Sequence, residues 1–212
     1  MPTYLGDLRH RIRTDLHDED ASAYRWTDDA LDRHIERALQ EFSAACPRPA
    51  MTTITADAGV REYDLSVIAD LANRPAAVVA VEWPYDEAAP AYPAPFVPFR
   101  VFANRLYLLT TATPAAGDII RLWYTLPHLL TESTTTLAPE DEPLLALGAA
   151  AYAALEREGY AAERITPTGR TAEEYRAWGE RAMQRFHELL AERRRQGTLM
   201  VDGRAAWERG RG

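Results

Sequence analysis

An alanine-rich, uncharged run at residues 144–155 constrains the fold of this chain more than any other feature. It follows Pro139-Glu140-Asp141-Glu142-Pro143, where prolines and acids favour the first turns of a helix. A helix that is apolar on every side is normally buried, and its small side chains let other helices approach closely. The run therefore predicts a buried helix that is surrounded by other helices.

Three amphipathic segments are available to surround it. Apolar residues recur at helical spacing over residues 3–16. A second helix is predicted to begin after Thr27, a good N-cap that two aspartates follow, and to end before Pro47. A last helix is predicted from the capping box at residues 171–174, with Gly197 as its stop.

Residues 51–125 have a different pattern, because β-branched and alternating apolar residues replace the helical spacing. This pattern predicts short strands with turns between them. The strands are expected at residues 52–55, 60–65, 76–83, 99–102, 106–109 and 119–124. Five prolines within residues 84–98 exclude a central strand there and predict a stiff, exposed loop.

These segments predict a mainly α fold with a β insertion (α+β). We expect an antiparallel helix bundle, a small strand-rich insertion between its second and third helices, and an extended C-terminal tail. Residues 1–50 and 137–195 are assigned to the bundle, residues 51–130 to the β-rich insertion with its Pro-rich loop 84–98, and residues 196–212 to the tail. No run of about 18 apolar residues exists, so no membrane-spanning helix is expected.

The sequence motifs that common catalytic and metal sites require are missing. All 24 basic residues are arginine, so chemistries that need a lysine, such as the P-loop or a Schiff base, are excluded. Cys46 is the single cysteine, which excludes an internal disulfide and a four-cysteine zinc site. The acidic turn at residues 17–20 lacks calcium-loop spacing, and we interpret it as solvated. We predict no catalytic, cofactor-binding or metal-binding residue and no cofactor.

Charge is distributed unevenly along the chain. The net charge is −8, whereas residues 193–212 carry six arginines against two acids, a net +4 that leaves −12 for the rest. An acidic body is a poor general nucleic-acid binder. A basic tail that also carries apolar residues suggests docking onto a protein. The predicted docking residues are Leu199, Met200, Val201, Arg204, Trp207, Arg209 and Arg211.

Two further groups of residues are candidates for a subunit or tail interface. Aromatic residues bracket the Pro-rich loop, and they form either a contact surface or local packing that anchors the loop. The alanine-rich helix has more apolar surface than one bundle face needs, which suggests contact with another subunit. The predicted interface residues are Trp83, Tyr85, Tyr92, Phe96, Leu144, Leu147 and Tyr152.

The order of several motifs resembles that of the tailed-bacteriophage head–tail connector (adaptor) proteins. Residues 24–42 resemble the family's second helix, where an aromatic residue, a cap such as Thr27 and an acid come first. Residues 59–65 are similar to its G-x-x-x-Y-x-L hairpin, and residues 104–108 and 116–124 look like its next two strands. Residues 137–140 with the alanine-rich helix resemble the element that resumes the bundle.

This resemblance implies a structural protein rather than an enzyme. Such adaptors form a homo-oligomeric ring, commonly a dodecamer, beneath the portal protein, and they extend the DNA channel through which the genome is ejected. A C-terminal segment often docks onto the portal, and the ring receives a downstream tail or tail-completion protein. The resemblance further implies double-stranded DNA that passes through the lumen without sequence-specific binding, no membrane partner, and a place in the virion after synthesis in the host cytoplasm.

Two other functions stay open at this stage. One is a small cytoplasmic enzyme with an unrecognised carboxylate and histidine site in the β-region. The other is an Arg-tailed DNA-binding regulator, for which steep salt-dependent affinity for bare duplex DNA is expected. The first residues contain no apolar signal-peptide core, so we expect the protein to stay where it is made.

Overall fold

The chain has an α+β fold with two compact units. The computed structural model describes residues 3–68, 71, 77–161 and 172–201, with side chains except at 157–161, 172 and 198–201. The helical unit is Met1–Cys46 with His128–Gly212, and the strand unit is Pro47–Pro127. The residues that the structure describes are 45% helical and 23% strand.

The unit boundaries differ by a few residues from those that we drew from the sequence. Residues 47–50 belong to the strand unit because the first strand already begins at Arg48. Residues 128–130 belong to the helical unit. There the His128 backbone N–H donates to Ser43 Oγ at 2.9 Å, and its ring lies on Phe42 with centroids 5.1 Å apart.

Four α-helices lie within the described residues of the helical unit. They are α1 (Leu5–Leu16), α2 (Asp28–Ala45), α3 (Glu142–Ala161) and α4 (Ala172–Val201). Thr27 caps α2 as predicted, since its Oγ1 accepts from the Ala30 N–H at 3.2 Å. Gly197 does not end the last helix, because α4 continues to Val201.

The alanine-rich helix α3 occupies the centre of the helical core. It packs against α1, α2 and α4, and its alanine side chains between residues 146 and 154 are fully buried. The partners supply aliphatic and aromatic side chains to the same core, and these are Leu8, Ile12, Leu31, Ile35, Phe42, Phe186 and Leu190. Three covering helices explain why α3 carries no polar stripe over this stretch.

Gly148 marks the closest approach between α3 and α4. A Cβ atom added at Gly148 would lie 2.7 Å from Phe186 Cε2, inside the contact distance of two carbon atoms. Phe186 is fully buried and is held on all sides by the core. The missing side chain at Gly148 therefore makes the space that the Phe186 ring fills.

Gly148→Ala is expected to destabilise the helical unit by about 1–3 kcal/mol, since overpacking forces the Phe186 ring or the helix to move. Urea denaturation followed by circular dichroism measures this change. Gly197→Ala is the matched control, because no atom lies within 4 Å of a Cβ at that position. Equal stability of the two variants would contradict the close approach.

Within the described residues of the strand unit, six strands form two three-stranded antiparallel sheets. The first sheet has the order β1-β6-β3 and the second the order β2-β5-β4. Alternate residues of β6 are buried, and Ile120, Leu122 and Tyr124 join the core that the two sheets share. The strands are β1 (Arg48–Thr55), β2 (Glu62–Asp64), β3 (Ala77–Tyr85), β4 (Phe99–Phe102), β5 (Arg105–Leu108) and β6 (Ile119–Leu126).

The Pro-rich loop begins later than its first proline. Strand β3 extends through Pro84 to Tyr85, whereas we placed Pro84 in the loop. A proline is tolerated there because the β3–β6 pairing is irregular between Glu82 and Tyr85, so no regular ladder bond needs the missing N–H. Further along, the Trp83 N–H donates to the Pro95 carbonyl at 3.1 Å, and the Val97 N–H donates to the Val81 carbonyl at 2.9 Å. The end of the loop therefore lies along the outer edge of β3.

Candidate interaction surfaces

The four predicted aromatic interface residues divide into two packed and two exposed side chains. Trp83 is buried, and its Nε1 donates to Asp118 Oδ2 at 3.1 Å. Tyr85 is half-buried beneath the guanidinium group of Arg121. Tyr92 is fully exposed, and Phe96 is 40% exposed. Local packing thus holds the start of the loop, and the contact surface that remains available centres on Tyr92 and Phe96.

An ion pair with a buried carboxylate supports the start of this loop. Glu82 is 1% exposed, and its Oε2 accepts from Arg121 Nε at 2.7 Å. The same guanidinium lies 3.9 Å from the centroid of Tyr85 and 4.8 Å from that of Trp123, distances typical of cation–π contacts. Glu82 and Arg121 are opposite each other on β3 and β6. The sequence analysis missed this pair because it considered no cross-strand partners.

A second exposed apolar surface lies at the β4–β5 hairpin, and the sequence analysis did not select it. Ala103 and Asn104 both have positive φ values of 47° and 60°, as a tight two-residue turn requires. Val101 and Phe102 precede this turn, and Phe102 is 70% exposed. Large exposed apolar side chains grouped on a small unit are typical of contact sites. The sequence signal for this surface was the run of apolar residues that precedes the predicted break at residues 103–105.

The predicted interface residues of α3 are largely buried in the helical core. Leu144 and Tyr152 are each 9% exposed, and Leu147 is partly buried against the helical core. The surplus of apolar surface that suggested another subunit is taken up by α1, α2 and α4. Little of Leu144 or Tyr152 is therefore left for a second molecule, and a contact through Leu147 stays a prediction.

Tyr152 belongs to a polar cluster that three helices share. Its hydroxyl donates to Glu41 Oε1 on α2, and His187 Nε2 on α4 lies 3.2 Å from Glu41 Oε2. The Arg37 guanidinium lies 4.0 Å from the centroid of the Tyr152 ring. Burial together with the Glu41 carboxylate raises the pKa of Tyr152, so its hydroxyl stays protonated as a donor. This cluster ties α2, α3 and α4 to one another.

The acidic turn after α1 is exposed as predicted at His17, Glu19 and Asp20, whereas Asp18 is only 3% exposed. Arg13 Nη1 donates to Asp18 Oδ2 at 2.7 Å, and Arg13 Nη2 donates to the Trp26 carbonyl at 3.0 Å and to Asp28 Oδ1 at 2.7 Å. Asp18 Oδ1 also accepts from the Arg25 N–H at 2.7 Å. One buried guanidinium thus joins α1, the turn and the first residue of α2.

Cys46 is the strongest nucleophile by residue type, yet its surroundings disfavour the thiolate. Burial and the nearby Asp141 raise the pKa of the Cys46 thiol. Reactive cysteines need the opposite, a lowered pKa beside a cation or at a helix N-terminus. Among the residues that the structure describes, no group of three histidine, cysteine or acidic side chains could hold a metal ion.

His34 makes the stability of the helical unit depend on pH. Its Nε2 lies 2.6 Å from Glu156 Oε2, which raises the pKa, but burial lowers the pKa more strongly. The folded state then binds a proton more weakly than the unfolded state, whose histidine has a pKa near 6.5. We expect the free energy of unfolding to fall as pH drops below about 6.5.

The test compares urea denaturation at pH 7.5 and 5.5 for wild type and His34→Gln. The variant should lose less stability on acidification because it lacks this titrating group. His10→Gln is the control, since His10 is exposed on α1. An identical acid-induced loss in wild type and His34→Gln would show that His34 does not carry the effect.

The predicted docking tail lies mostly outside the described residues. Leu199, Met200 and Val201 form the end of α4, and only their backbone is described. Arg204, Trp207, Arg209 and Arg211 lie outside the described residues. Within the described part of the chain, no helix has the length and apolar composition that crossing a membrane requires.

Comparison with solved structures finds distant similarities to this chain. Three solved structures align with low identity. They are the neck of an empty GTA particle computed with C6 symmetry (17% identity, 84% of this chain, 87% of that chain, TM-score 0.30), the neck of a native GTA particle computed with C12 symmetry (16%, 86%, 91%, 0.29), and the virion of a native gene transfer agent particle (18%, 84%, 87%, 0.30). No curated protein matches the chain.

A family model gives the decisive match. The model of the SU10 adaptor protein matches residues 3–205, which include all four helices and both sheets. A match of this extent covers the helical unit and the strand unit together, rather than one shared motif. The chain therefore belongs to the SU10 adaptor protein family.

Proposed function

We propose that this protein is a structural head–tail connector subunit that forms a ring beneath the phage portal, extends the DNA channel and joins the capsid to the tail. The observation that carries this proposal is the adaptor-family match over both compact units. In this role the four helices form an antiparallel bundle, copies of the chain assemble into a dodecameric ring, and the protein catalyses no reaction. Its place is the head–tail interface of the virion, after synthesis in the host cytoplasm.

The charge of the chain supports a channel that DNA passes without sequence-specific binding. Residues 1–192 carry a net −12, and the phosphate backbone of DNA is repelled by such a surface. Several arginines are already paired with carboxylates, as Arg9 is with Asp32 and Arg193 with Asp141. These pairs leave fewer cations for phosphate contacts, which argues against the DNA-binding regulator.

The C-terminal tail is proposed to dock onto the portal, with Trp207 as the apolar anchor. Arg204, Arg209 and Arg211 would pair with portal carboxylates, for which planar guanidinium groups are well suited. Exposed ion pairs contribute little by themselves, so Trp207 should supply most of the affinity. Because α4 continues to Val201, the proposed docking residues Leu199, Met200 and Val201 lie on its last turn, and the rest of the docking segment follows the helix.

The test mixes the purified chain with the portal protein from the same genome and images the complex by negative stain. We expect a ring below the portal, and a portal that stays bare would overturn the connector role.

Truncation after Val201 should abolish portal binding while the thermal melt changes little, since α4 stays complete. Trp207→Ala should weaken binding by roughly 2 kcal/mol or more if it is a hot spot. Undiminished binding of the truncated chain would indicate that the docking site lies on the surface of the helix bundle instead.

The Pro-rich loop is proposed to face the tail. Tyr92 and Phe96 give it an exposed aromatic surface, and Tyr and Phe are enriched at protein interfaces. Deletion of residues 86–94 removes Tyr92 but keeps the Pro95 carbonyl that holds β3. This variant should keep its circular dichroism spectrum and portal binding, and lose tail attachment. Normal tail attachment would place the tail contact elsewhere.

A further inference from the structure

An open, mostly apolar groove lies on the helical unit. The start of α1, the middle of α2 and the segment that follows β6 line it, and its volume is about 290 Å³. A cavity of about 150 Å³ is large enough to bind benzene, so this groove has room for one phenylalanine ring. The apolar residues that line it are Leu5, Ile35, Leu39, Leu129 and Leu130.

Two carboxylates of α2 also line the groove, and they differ in their partners. Asp32 accepts from Arg9 Nε at 2.5 Å and from Arg9 Nη2 at 2.8 Å, so its charge is already paired. Glu36 is exposed and accepts one long hydrogen bond, from Gln40 Nε2 at 3.4 Å. In the part of the chain that the structure describes, no salt bridge is made to Glu36. The groove is therefore suited to an apolar side chain that comes with a cation for Glu36.

The β4–β5 hairpin presents this combination. Phe102 is 70% exposed. Arg100 is also exposed and lies two residues before it, so both side chains project from the same face of β4. Arg100 forms no salt bridge within the described residues. Glu62 and Asp64 lie on β2, on the other side of β5, and the Glu62 carboxylate already accepts from Arg105 Nη1 at 2.6 Å.

The other exposed aromatic side chains of the described residues match the groove less well. Tyr92 and Phe96 lie in the Pro-rich loop, whose two charged residues are both acidic and would be repelled by Glu36. The ring of Tyr24 is already covered by the Arg13 guanidinium, 3.6 Å from its centroid. Charge complementarity therefore favours the β4–β5 hairpin as the occupant.

We propose that Phe102 of one subunit inserts into this groove of a neighbouring copy, where Arg100 pairs with Glu36. Arg100 and Phe102 are about 7 Å apart along their strand. Glu36 and Leu39 are about 5–6 Å apart on α2, so the two pairs of groups have matching spacing. Hairpin and groove are different surfaces, so the contact is heterologous and can repeat until a ring closes. The inference rests on the proposed ring and names one of its contacts.

Charge reversal tests the polar half of this contact. Glu36→Arg and Arg100→Glu each bring like charges together, so either variant should form about tenfold fewer rings, or less, on the portal protein from the same genome. Negative-stain images provide the counts, and thermal melts confirm that the variants are folded. Glu192→Arg makes the same charge change at an exposed site on α4 and should form rings like wild type.

Combining the two reversals should restore the rings. A chain with both substitutions again brings opposite charges together at every contact, whatever the number of subunits. In an equimolar mixture of the two single variants, unlike chains attract and like chains repel, so they should alternate around a ring with an even number of copies. Damage to the fold predicts no such rescue. Normal rings from either single variant, or no rings from the doubly substituted chain, would contradict the contact.

Phe102→Ala tests the apolar half of the contact. The groove then stays unfilled, and we expect about tenfold fewer rings on portals, as for the loss of an interface anchor. Tyr92→Ala is the matched control, because it removes a fully exposed aromatic ring that the proposed contact does not use. Equal ring counts for the two variants would overturn the insertion of Phe102.

Sedimentation velocity of the same chains without portal separates the failure of this inference from that of the proposed function. Wild-type rings on portals together with normal rings from Glu36→Arg would overturn the contact and leave the connector role standing. Bare portals with the wild-type chain would overturn the connector role, and the free chains then decide on the contact. Self-association that Glu36→Arg abolishes and the double reversal restores would support it, whereas monomeric wild type would overturn it.

Discussion

Replacing Arg13 by leucine is expected to destabilise the helical unit by about 3–5 kcal/mol, because it leaves the Asp18 carboxylate buried without its cation. Arg13 is buried and also bonds the Trp26 carbonyl and Asp28, so the substitution removes three contacts at once. Urea denaturation followed by circular dichroism measures the loss at neutral pH. The spectrum should keep its shape until the transition, which then comes at lower urea.

Two further variants show whether the loss comes from the unpaired charge. Arg185→Leu removes an exposed pair with Glu188 and should cost less than about 1 kcal/mol. Arg13→Leu combined with Asp18→Asn should recover part of the loss, since the buried group is then neutral. If Arg13→Leu unfolded at the same urea concentration as Arg185→Leu, the Arg13 cluster would not stabilise the turn between α1 and α2.

Phe186→Ala is expected to cost about 3–5 kcal/mol, since it empties the centre of the helical core beside Gly148. The ring is fully buried, and α3 approaches so closely at Gly148 that little rearrangement can refill the space. A thermal melt and urea denaturation both measure this loss.

Two controls separate the cavity from other effects of removing a phenylalanine. Phe186→Met keeps most of the volume and should cost less than about 1.5 kcal/mol. Phe102→Ala makes the same chemical change on an exposed hairpin, where a change within about 0.5 kcal/mol is expected. A loss below 1.5 kcal/mol for Phe186→Ala would mean that α3 and α4 can close around the missing ring.

Local patterns predicted the features that short-range physics determines. Thr27 with two following aspartates predicted the start of α2, and the uncharged run of α3 predicted its burial. Gly197 failed as a helix stop because a glycine in a helix costs only about 1 kcal/mol, which the rest of a long helix can outweigh. The strands were predicted in order, although Pro84 was excluded from β3 because the irregular β3–β6 pairing around it was not known.

Several features that the sequence did not predict depend on contacts that only the folded chain makes. Asp18 sits in an acidic run that looks solvated, and only the fold brings Arg13 and a closed turn around it. Tyr152 looked available for a second subunit until α2 and α4 were seen to cover it. The outer position of β1 follows from strand order, which no local pattern of residues contains.

The helical unit is assembled from two stretches of chain that are made at different times. Its first 46 residues leave the ribosome before the 81 residues of the strand unit, and α3 comes only after them. At about 5–20 residues per second, α1 and α2 wait roughly 4–16 s for their central partner. The strand unit is continuous and can fold during that time. A nascent chain therefore carries a folded sheet domain while Leu8, Ile12 and Ile35 still lack α3, and it is at this stage that a chaperone would bind or aggregation begin.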